Sequence, residues 1–451
     1  MEVRQFHNQI KKSLIREFSK DTHQCNLLDL ACGRGGDLHK WSNCKLNSVL
    51  AIDHDYQSIT EAKHRLSETN YSNIHFLHAD VSSRSISDNI FKQKKLIFQD
   101  KYYRNFDMIT IFFAIQYFFS SEDEIDNLIK LINSNLKPGG YFIGISPDET
   151  NILSLCDKGA NEKTYDSDTL KISVIGNKCN FWVNLGDNSY FETFGESNEY
   201  LVNIDHLKTI CKKYNLECKR VQNFNDIGIP DNIPDELKKF SKLYCSWVFY
   251  KPIQSIYFPS RPPPFSISNI QIEKSDMPMI TKPHEALRIN KAIKNYCKDI
   301  NIFQTNIVDS TSGVGGDTIN FSSMFKHVVS IEVDPKRYQR LCHNVGLYKL
   351  KNVTTVNSDC VKEFINYGLN GNILRCPILY IDAPWFQYKD SEIALSNWDI
   401  VTITKTVLEG KVFSLVILKL PHQHSTIFGD SFKVTRSEIT RKMCIKFVKL
   451  K

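Results

Sequence analysis

Asp29-Leu-Ala-Cys-Gly33-Arg-Gly35-Gly36-Asp37 reads as a strand end running into a glycine turn, and the chain repeats the pattern as Asp309-Ser-Thr-Ser-Gly313-Val-Gly315-Gly316-Asp317. Acids follow each copy at matched spacing. Ile52-Asp53-His54-Asp55 and then Asp80 come after the first, Ile331-Glu332-Val333-Asp334 and then Asp359 after the second. One glycine loop is weak evidence, but a duplicated loop with both downstream carboxylates in register predicts two nucleotide-type binding domains. Outward from each loop, strand and helix patterns alternate, which predicts a parallel sheet covered on both faces. In the first half the expected strands begin at Asn26, Ser48, His75, Phe106 and Tyr141; in the second they begin at Asn306, His327, Thr354, Pro377 and Phe413.

The chemistry around the loops narrows the ligand. A dinucleotide site calls for Gly-x-Gly-x-x-Gly with a pyrophosphate on a helix N-terminus, and neither copy has the third glycine at that spacing. Each phrase instead begins with an aspartate, which repels a diphosphate and attracts a cationic amino acid. An acid at the end of the second strand can hold both ribose hydroxyls, and Asp80 and Asp359 can accept from an adenine amino group. Adenine, ribose, a sulfonium and an amino acid together describe S-adenosylmethionine. Cys32 sits in the loop without a paired base, so packing is its expected role.

Composition bounds the rest. The 451 residues suggest about two or three domains, and the duplicated phrase favours two. With 41% hydrophobic and 24% charged residues the whole length can fold. No apolar run approaches the roughly 18 residues of a membrane span, and Met1-Glu-Val-Arg-Gln-Phe lacks a signal-peptide layout. The thirteen cysteines are odd in number and never spaced Cys-x-x-Cys, which predicts reduced thiols in cytosol or nucleus and implies no zinc or other metal site. A net charge of +7 with dispersed Lys and Arg fits a protein that handles the end of a polyanion. Nine of the fifteen prolines fall between Pro230 and Pro283, and Pro259-Ser-Arg-Pro262-Pro263-Pro264 reads as an extended connector. The expected division is therefore a first domain over 1–252, a linker over 253–270 and a second domain over 271–451.

Beyond the loop, the first half becomes more specific. Phe6-His-Asn8-Gln-Ile-Lys11, Leu28 to Trp41, Leu136-Lys-Pro-Gly-Gly-Tyr-Phe-Ile-Gly-Ile-Ser-Pro147, Ser197-Asn-Glu199-Tyr-Leu-Val and Tyr244 to Lys251 resemble the messenger-RNA cap guanine-N7 methyltransferases of eukaryotes and large DNA viruses. The resemblance implies a Rossmann-like class I fold in which Lys11, Asp29, Gly33, Gly35, Asp37, Asp53 and Asp80 hold the methyl donor. It implies that Asn8, Gln116, Tyr117, Pro147, Glu199 and Tyr244 surround the cap guanine, with Tyr117 and Glu199 closest to the chemistry. The family usually has His-Tyr where this chain has Gln116-Tyr117. Glutamine can still donate to a guanine carbonyl.

The second half resembles the trimethylguanosine synthases, which are cap guanine-N2 methyltransferases, over about residues 280 to 425 within a domain of about 265–451. Ile280-Thr-Lys-Pro-His-Glu-Ala-Leu, the phrase from Asp309 to Phe321, Ile331-Glu-Val-Asp-Pro335, His343-Asn344 and Asp382-Ala-Pro-Trp385 carry that resemblance. It implies a second class I fold with Asp309, Gly313, Gly315, Glu332 and Asp359 at the donor, Asp382 orienting the amine and accepting its proton, and Trp385 stacked on guanine. An N7-methylated guanine is a cation, so the stack gains a cation-π contribution of about 1 to 2 kcal/mol. Two departures stand out. Phe386-Gln387 replace two glycines, and Leu420-Pro421-His422-Gln423 stands where the family has Leu-Pro-Arg-Asn.

Together these readings predict a bifunctional enzyme using S-adenosylmethionine on 5′-capped RNA, first at guanine N7 and then at N2. A second domain that only binds methylated caps, or that methylates an exocyclic amine of another RNA, stays open as an alternative. No Lys-x-Asp-Gly signature occurs, so the triphosphatase and guanylyltransferase steps are expected from separate proteins. The joining of cap steps is associated with large DNA viruses, for which the compartment would be the viral factory or virion.

Overall fold

The computed structural model describes residues 3–19, 25–44, 46–98, 105–157, 162–183, 196–259, 261, 265–364, 377–383, 393–422, 424 and 427–451. The chain divides into two compact units, Met1–Pro252 and Ile253–Lys451.

In the first unit β1 (Asn26–Leu30), β2 (Ser48–Asp53), β3 (Ile74–His78), β4 (Phe106–Phe112) and β5 (Leu136–Pro147) are parallel neighbours; β6 (Lys163–Asp166), β7 (Leu170–Ile175), β8 (Lys178–Val183) and β9 (Glu196–Tyr200) form a separate antiparallel sheet. β10 (Glu217–Asn223) and β11 (Tyr244–Tyr250) complete the large sheet in the order β10-β11-β5-β4-β1-β2-β3, with β11 antiparallel to both its neighbours. Every residue of β1 and β2 is buried, as expected of central parallel strands covered on both faces. Alternation sorts their side chains into two cores. Leu27, Val49, Met108 and Ile143 face one; Leu28, Leu50, Ile109 and Phe142 face the other.

The second unit repeats the topology. β12 (Asn306–Asp309), β13 (His327–Glu332), β14 (Val353–Asn357), β15 (Ile378–Ile381) and β18 (Leu415–Pro421) are parallel, and β16 (Ala394–Leu395) pairs with β17 (Trp398–Asp399) outside the sheet. With β19 (Phe432–Glu438) and β20 (Met443–Leu450) the order is β14-β13-β12-β15-β18-β20-β19, strand for strand that of the first unit. In each sheet the chain moves one way from the first strand and returns to its other side, at β4 in one unit and β15 in the other. The crevice opens at that switch point, above the carboxyl ends of the strands.

The glycine turn ends β1 and β12. Gly35 has φ +73°, and a Cβ there would stand 3.1 Å from the Cβ of Ala62. Its counterpart Gly315, at φ +101°, faces Leu341 at 3.0 Å. Both glycines let the helix after the second strand close on the turn.

Each of the ten expected strands overlaps an observed one; eight lie wholly within theirs, while those expected from Pro377 and Phe413 begin at Ile378 and Leu415. The antiparallel strands and the β6–β9 sheet add what the alternating pattern did not suggest. The segment read as a connector differs in its described residues. Phe258, Ile267 and Ile270 are buried against Val314, Ile319 and Tyr348, and Arg261 Nη1 donates to the Tyr348 carbonyl at 2.8 Å. Apolar burial folds these described residues onto the second unit. Ser260 and Pro262 to Pro264 lie outside the described residues. Among those described, no helix is long and apolar enough to cross a membrane.

Candidate functional site

At the switch point of the first unit lies a cavity of about 380 Å³, lined by Lys11, Asp29, Ala31, Cys32, Gly33, Arg34, Gly36, Asp37, Ser58, Arg65, Phe112 and Phe113. The amphipathic helix Val3–Ser19 buries Val3, Phe6, Ile10, Leu14 and Ile15, which turns Lys11 toward the cavity. Lys11 Nζ meets Asp37 Oδ2 at 3.1 Å, and Lys40 Nζ meets Asp37 Oδ1 at 2.7 Å. Burial raises the Asp37 pKa, but the two ammonium groups outweigh it, so this carboxyl titrates below its ordinary range. Asp29 is the opposite case. Burial and then the Asp37 charge push it up to about 8, against a hydrogen bond from Thr110.

Asp53, at the end of β2, is fixed by the backbone: Gly33 N donates to Oδ2 at 2.7 Å and Asp55 N to Oδ1 at 2.9 Å. Asp80 is exposed beyond β3, with Ser82 N and Oγ on its Oδ1 at 2.8 and 2.7 Å. Gly35, Asp53 and Asp80 thus flank the cavity without being among its lining residues. The Cys32 thiol is driven far up by burial and then by Asp29, so it supplies no nucleophile.

Phe113, held at φ +59° beyond β4, links this cavity to the second group of predicted residues. Its ring stacks on His7 with centroids 5.5 Å apart and meets Tyr244 edge-on at 5.2 Å. Its carbonyl accepts from Gln116 Nε2 at 2.9 Å. Glu199, opposite Cys179 in the β8–β9 pairing, accepts from Ser197 Oγ at 2.5 Å. Glu199 Oε2 and Gln116 Oε1 are buried and without hydrogen-bond partners among the described residues. Burial lifts Glu199 to about 7 against hydrogen bonds from Ser197 and Gln116; burial and then Glu199 raise the Tyr117 phenol. Gln116, Tyr117 and Glu199 are therefore brought together, with Tyr117 half exposed.

Pro147 and Tyr244 pair across β5 and β11 and are buried, Tyr244 within an aromatic cluster of His7, Phe113, Phe224 and Phe240. Asn8 is exposed on the first helix. His7 and Thr110 escaped the sequence reading; His7 stood inside a quoted motif and Thr110 inside an expected strand.

The second unit has a cavity of about 320 Å³ at the equivalent place, lined among others by Gly313, Asp317, Glu332, Arg337, Asp359, Asp382 and Lys419. Gly313 N donates to Glu332 Oε2 and Asp334 N to Glu332 Oε1, both at 2.9 Å, repeating the hold on Asp53. Arg337 Nε adds a contact to Glu332 Oε1 at 3.2 Å. Asp309 lies just behind the lining, 1% exposed, and burial followed by the Asp317 charge pushes it up to about 7. Asp309 Oδ1 and Asp317 Oδ1 have no hydrogen-bond partner among the described residues. Val361 N donates to Asp359 Oδ1 at 2.9 Å. Asp382 N bonds Thr311 Oγ1 at 2.9 Å, and its Oδ2 meets Lys419 Nζ at 2.5 Å.

The sequence reading has Asp382 orienting the amine and accepting its proton; the structure pairs its carboxylate with Lys419, which that reading passed over. A single Lys inside the apolar run Leu415-Val-Ile-Leu-Lys419-Leu420 was the available signal. Trp385, with Pro384, Phe386 and Gln387, lies outside the described residues.

Ligand pockets typically measure about 300–1,000 Å³. Both cavities reach that range, and each has in or beside it a backbone-fixed acid, a buried aspartate on the glycine turn and neighbouring cations. That donor set fits a ligand with vicinal hydroxyls and a cationic amino acid.

Two family models match separate parts of the chain. A family model described as the mRNA (guanine-N(7))-methyltransferase domain matches residues 1–247, and one described as RNA cap guanine-N2 methyltransferase matches residues 304–428. The mRNA cap guanine-N(7) methyltransferase of Schizosaccharomyces pombe is 29% identical over 237 residues, covering 50% of this chain and 63% of its own length. That of Eremothecium gossypii is 25% identical over 262 residues, covering 53% and 57%. The chain thus spans less than two thirds of the length of these curated relatives. Among solved structures, an S-adenosylmethionine-dependent methyltransferase from Clostridium acetobutylicum aligns over 56% of this chain and 93% of its own, with 16% identity and a TM-score of 0.36. The match over residues 1–247 takes in more than half of the sequence, and the chain belongs to the mRNA (guanine-N(7))-methyltransferase domain family.

Proposed function

We propose that the two cavities are two S-adenosylmethionine sites and that the chain methylates one cap guanine twice, at N7 by the first unit and at exocyclic N2 by the second. The observation that carries this reading is the duplicated site: two cavities at equivalent switch points share one plan for their acids, whereas the groups around the crevice differ. S-adenosylmethionine, when bound, supplies an electrophilic methyl group on a cationic sulfur. Gly33, Asp53 and Asp80 would hold its nucleoside in the first unit, with Asp29 toward its amino acid. Gly313, Glu332, Asp359 and Asp309 would do the same in the second.

Guanine N7 already presents a lone pair, so the first unit needs no base. Its residues orient the ring and exclude water, which are proximity and preorganisation effects. Glu199, with a buried unpartnered oxygen, suits the N1 and N2 hydrogens of guanine, and Gln116 beside it suits the base edge. In the second unit Asp382 faces the acceptor amine, with Trp385 as the stacking residue beyond the described segment. The acceptor is 5′-capped RNA, and cap formation itself comes from separate triphosphatase and guanylyltransferase proteins. The described cysteines are all free thiols, in keeping with a reducing compartment, cytoplasmic or nuclear.

Incubation with labelled S-adenosylmethionine and GpppA-capped RNA, followed by nuclease digestion, tests the proposal. The expected products are 7-methylguanosine first and N2-methylated 7-methylguanosine later. Absence of any methylated guanosine overturns the reading as a whole. A 7-methylguanosine end point overturns the N2 half alone; it favours a cap-binding module where the second cavity binds no donor, and methylation of another RNA amine where it does.

A further inference from the structure

Lys419 occupies a position where a lysine is costly. It lies between Leu418 and Leu420 in the central strand β18, and its side chain is 5% exposed. Buried charges persist when paired and hydrogen-bonded. Its Nζ donates to Thr281 Oγ1 at 2.6 Å and to Asp382 Oδ2 at 2.5 Å, and stands 4.0 Å from Asp317 Oδ2. Thr281 Oγ1 in turn donates to Asp317 Oδ2 at 2.7 Å, as does the Tyr380 hydroxyl at 3.2 Å.

We propose that Lys419 is a positioning residue for Asp382, holding its carboxylate in one orientation and ionised, so that Asp382 accepts hydrogen bonds from the acceptor amine without taking its proton. The inference rests on the reading of the second unit as an exocyclic-amine methyltransferase. The groups facing this ammonium from neighbouring elements are Asp382, Asp317, Thr281, Glu285 and, behind Asp317, Tyr380 and Asp309. Burial lowers the Lys419 pKa, but Asp382 and Asp317 outweigh it and the group stays protonated. Protonating Asp382 would leave that ammonium with a weaker partner, so this aspartate is a poor base and a good fixed acceptor.

The chemistry asks for such an acceptor. The lone pair of a guanine amine is delocalised into the ring, and a hydrogen bond from its N–H to an ionised carboxylate draws electron density back to nitrogen. Methylation forms the N–C bond from that pair and breaks the C–S bond with its electrons left on sulfur. The displaced N–H proton goes to water.

The full chain and its Lys419→Met, Lys419→Arg, Asp382→Asn and Lys419→Met/Asp382→Asn variants test this with an N7-methylated cap dinucleotide as acceptor. Donor-site integrity is followed separately by calorimetric binding of S-adenosylhomocysteine to the second unit, with the first site disabled by Asp53→Ala. Lys419→Met is expected to lower kcat by about 10²-fold, the scale of a lost preorganised contact, while S-adenosylhomocysteine affinity stays within about threefold. It should also create an acid limb in the rate profile that the unmodified chain lacks, because the Asp382 carboxylate loses the ammonium that stands 2.5 Å from it. Lys419→Arg should recover most of the rate and remove that limb.

The double variant removes both members of the pair, and its rate should match Asp382→Asn alone with a flat profile. A uniform loss with no new limb and no rescue by arginine would make the lysine merely structural and overturn the proposal. So would a double variant much slower than Asp382→Asn. If the unmodified chain methylates some other exocyclic RNA amine, the N2 reading fails and the same comparison decides the role of Lys419 on that amine. If it binds donor in the second unit yet methylates no amine, both ideas fall.

Discussion

In the proposed donor site Asp29 couples proton release to ligand binding, and the size of the link follows from its surroundings. Burial and the Asp37 charge hold the carboxyl up to about 8 in the free chain, from an ordinary value of 3.8. An acid whose folded pKa is raised opposes folding once it must ionise, so this group costs the first unit stability as pH rises from 3.8 toward 8. A cationic amino acid in the cavity favours the ionised form and pulls the pKa down. At pH 6 the ligand must first remove a proton, at about 1.4 kcal/mol per pH unit below the free value. Affinity should therefore tighten by roughly ten- to a hundredfold between pH 6 and 8, with close to one proton released per ligand at pH 6.5.

Calorimetric titration of S-adenosylhomocysteine in two buffers of different protonation enthalpy measures both quantities. The Glu332→Ala background confines binding to the first cavity. Asp29→Asn should abolish the pH dependence, weaken binding at pH 8 and raise the stability of the unliganded first unit at that pH. Equal affinities at pH 6 and 8, or binding without proton release, would refute the reasoning.

Further outcomes follow from single contacts. Gly35→Ala places a Cβ 3.1 Å from Ala62 at φ +73°, and should destabilise the first unit by about 1–3 kcal/mol in denaturant titration. Glu199, lifted from 4.5 to about 7 by burial, opposes folding progressively as pH rises from 4.5 toward 7. Glu199→Gln should accordingly flatten the loss of thermal stability between pH 4.5 and 7 while slowing N7 methylation at every pH. His7 is lowered to about 3 by burial and Lys11. The unfolded chain takes up the proton from about pH 6.5 downward, so the stability contributed by neutral His7 is present above that pH and lost as pH falls. His7→Phe should reduce this acid sensitivity, read as the shift in unfolding midpoint between pH 7 and 5.

Much of this was legible in the sequence because the decisive residues are close along it. Asp29, Gly33 and Asp53 belong to consecutive elements of one βαβ unit, where strand, turn and strand fix one another, and the same holds from Asp309 to Glu332. What the sequence hid depends on partners distant in the chain. Lys419 acquires meaning only when β18 lies beside β15 and the chain before Pro283 brings Thr281 to it. His7 looks like a helix residue until Phe113, Phe224 and Tyr244 close around it. The 253–270 segment has the prolines of a connector, but Phe258, Ile267 and Ile270 have an apolar surface to cover. Gln116 and Glu199, separated along the chain, were matched through family resemblance, and burial now supplies a physical reason for their pairing.

One guanine, two sites in one chain, is the central claim, and half-disabled chains test it most directly. RNA carrying a single labelled cap guanine would be treated with the unmodified chain, with Asp53→Ala and with Asp382→Ala, and its nucleosides resolved over time. The account predicts 7-methylguanosine followed by N2-methylated 7-methylguanosine from the first. Asp382→Ala should stop at 7-methylguanosine. Asp53→Ala should leave unmethylated caps untouched yet add N2 methyls to caps already carrying the N7 methyl. N2-methylated products that survive Asp382→Ala, or N7 methylation that survives Asp53→Ala, would contradict it.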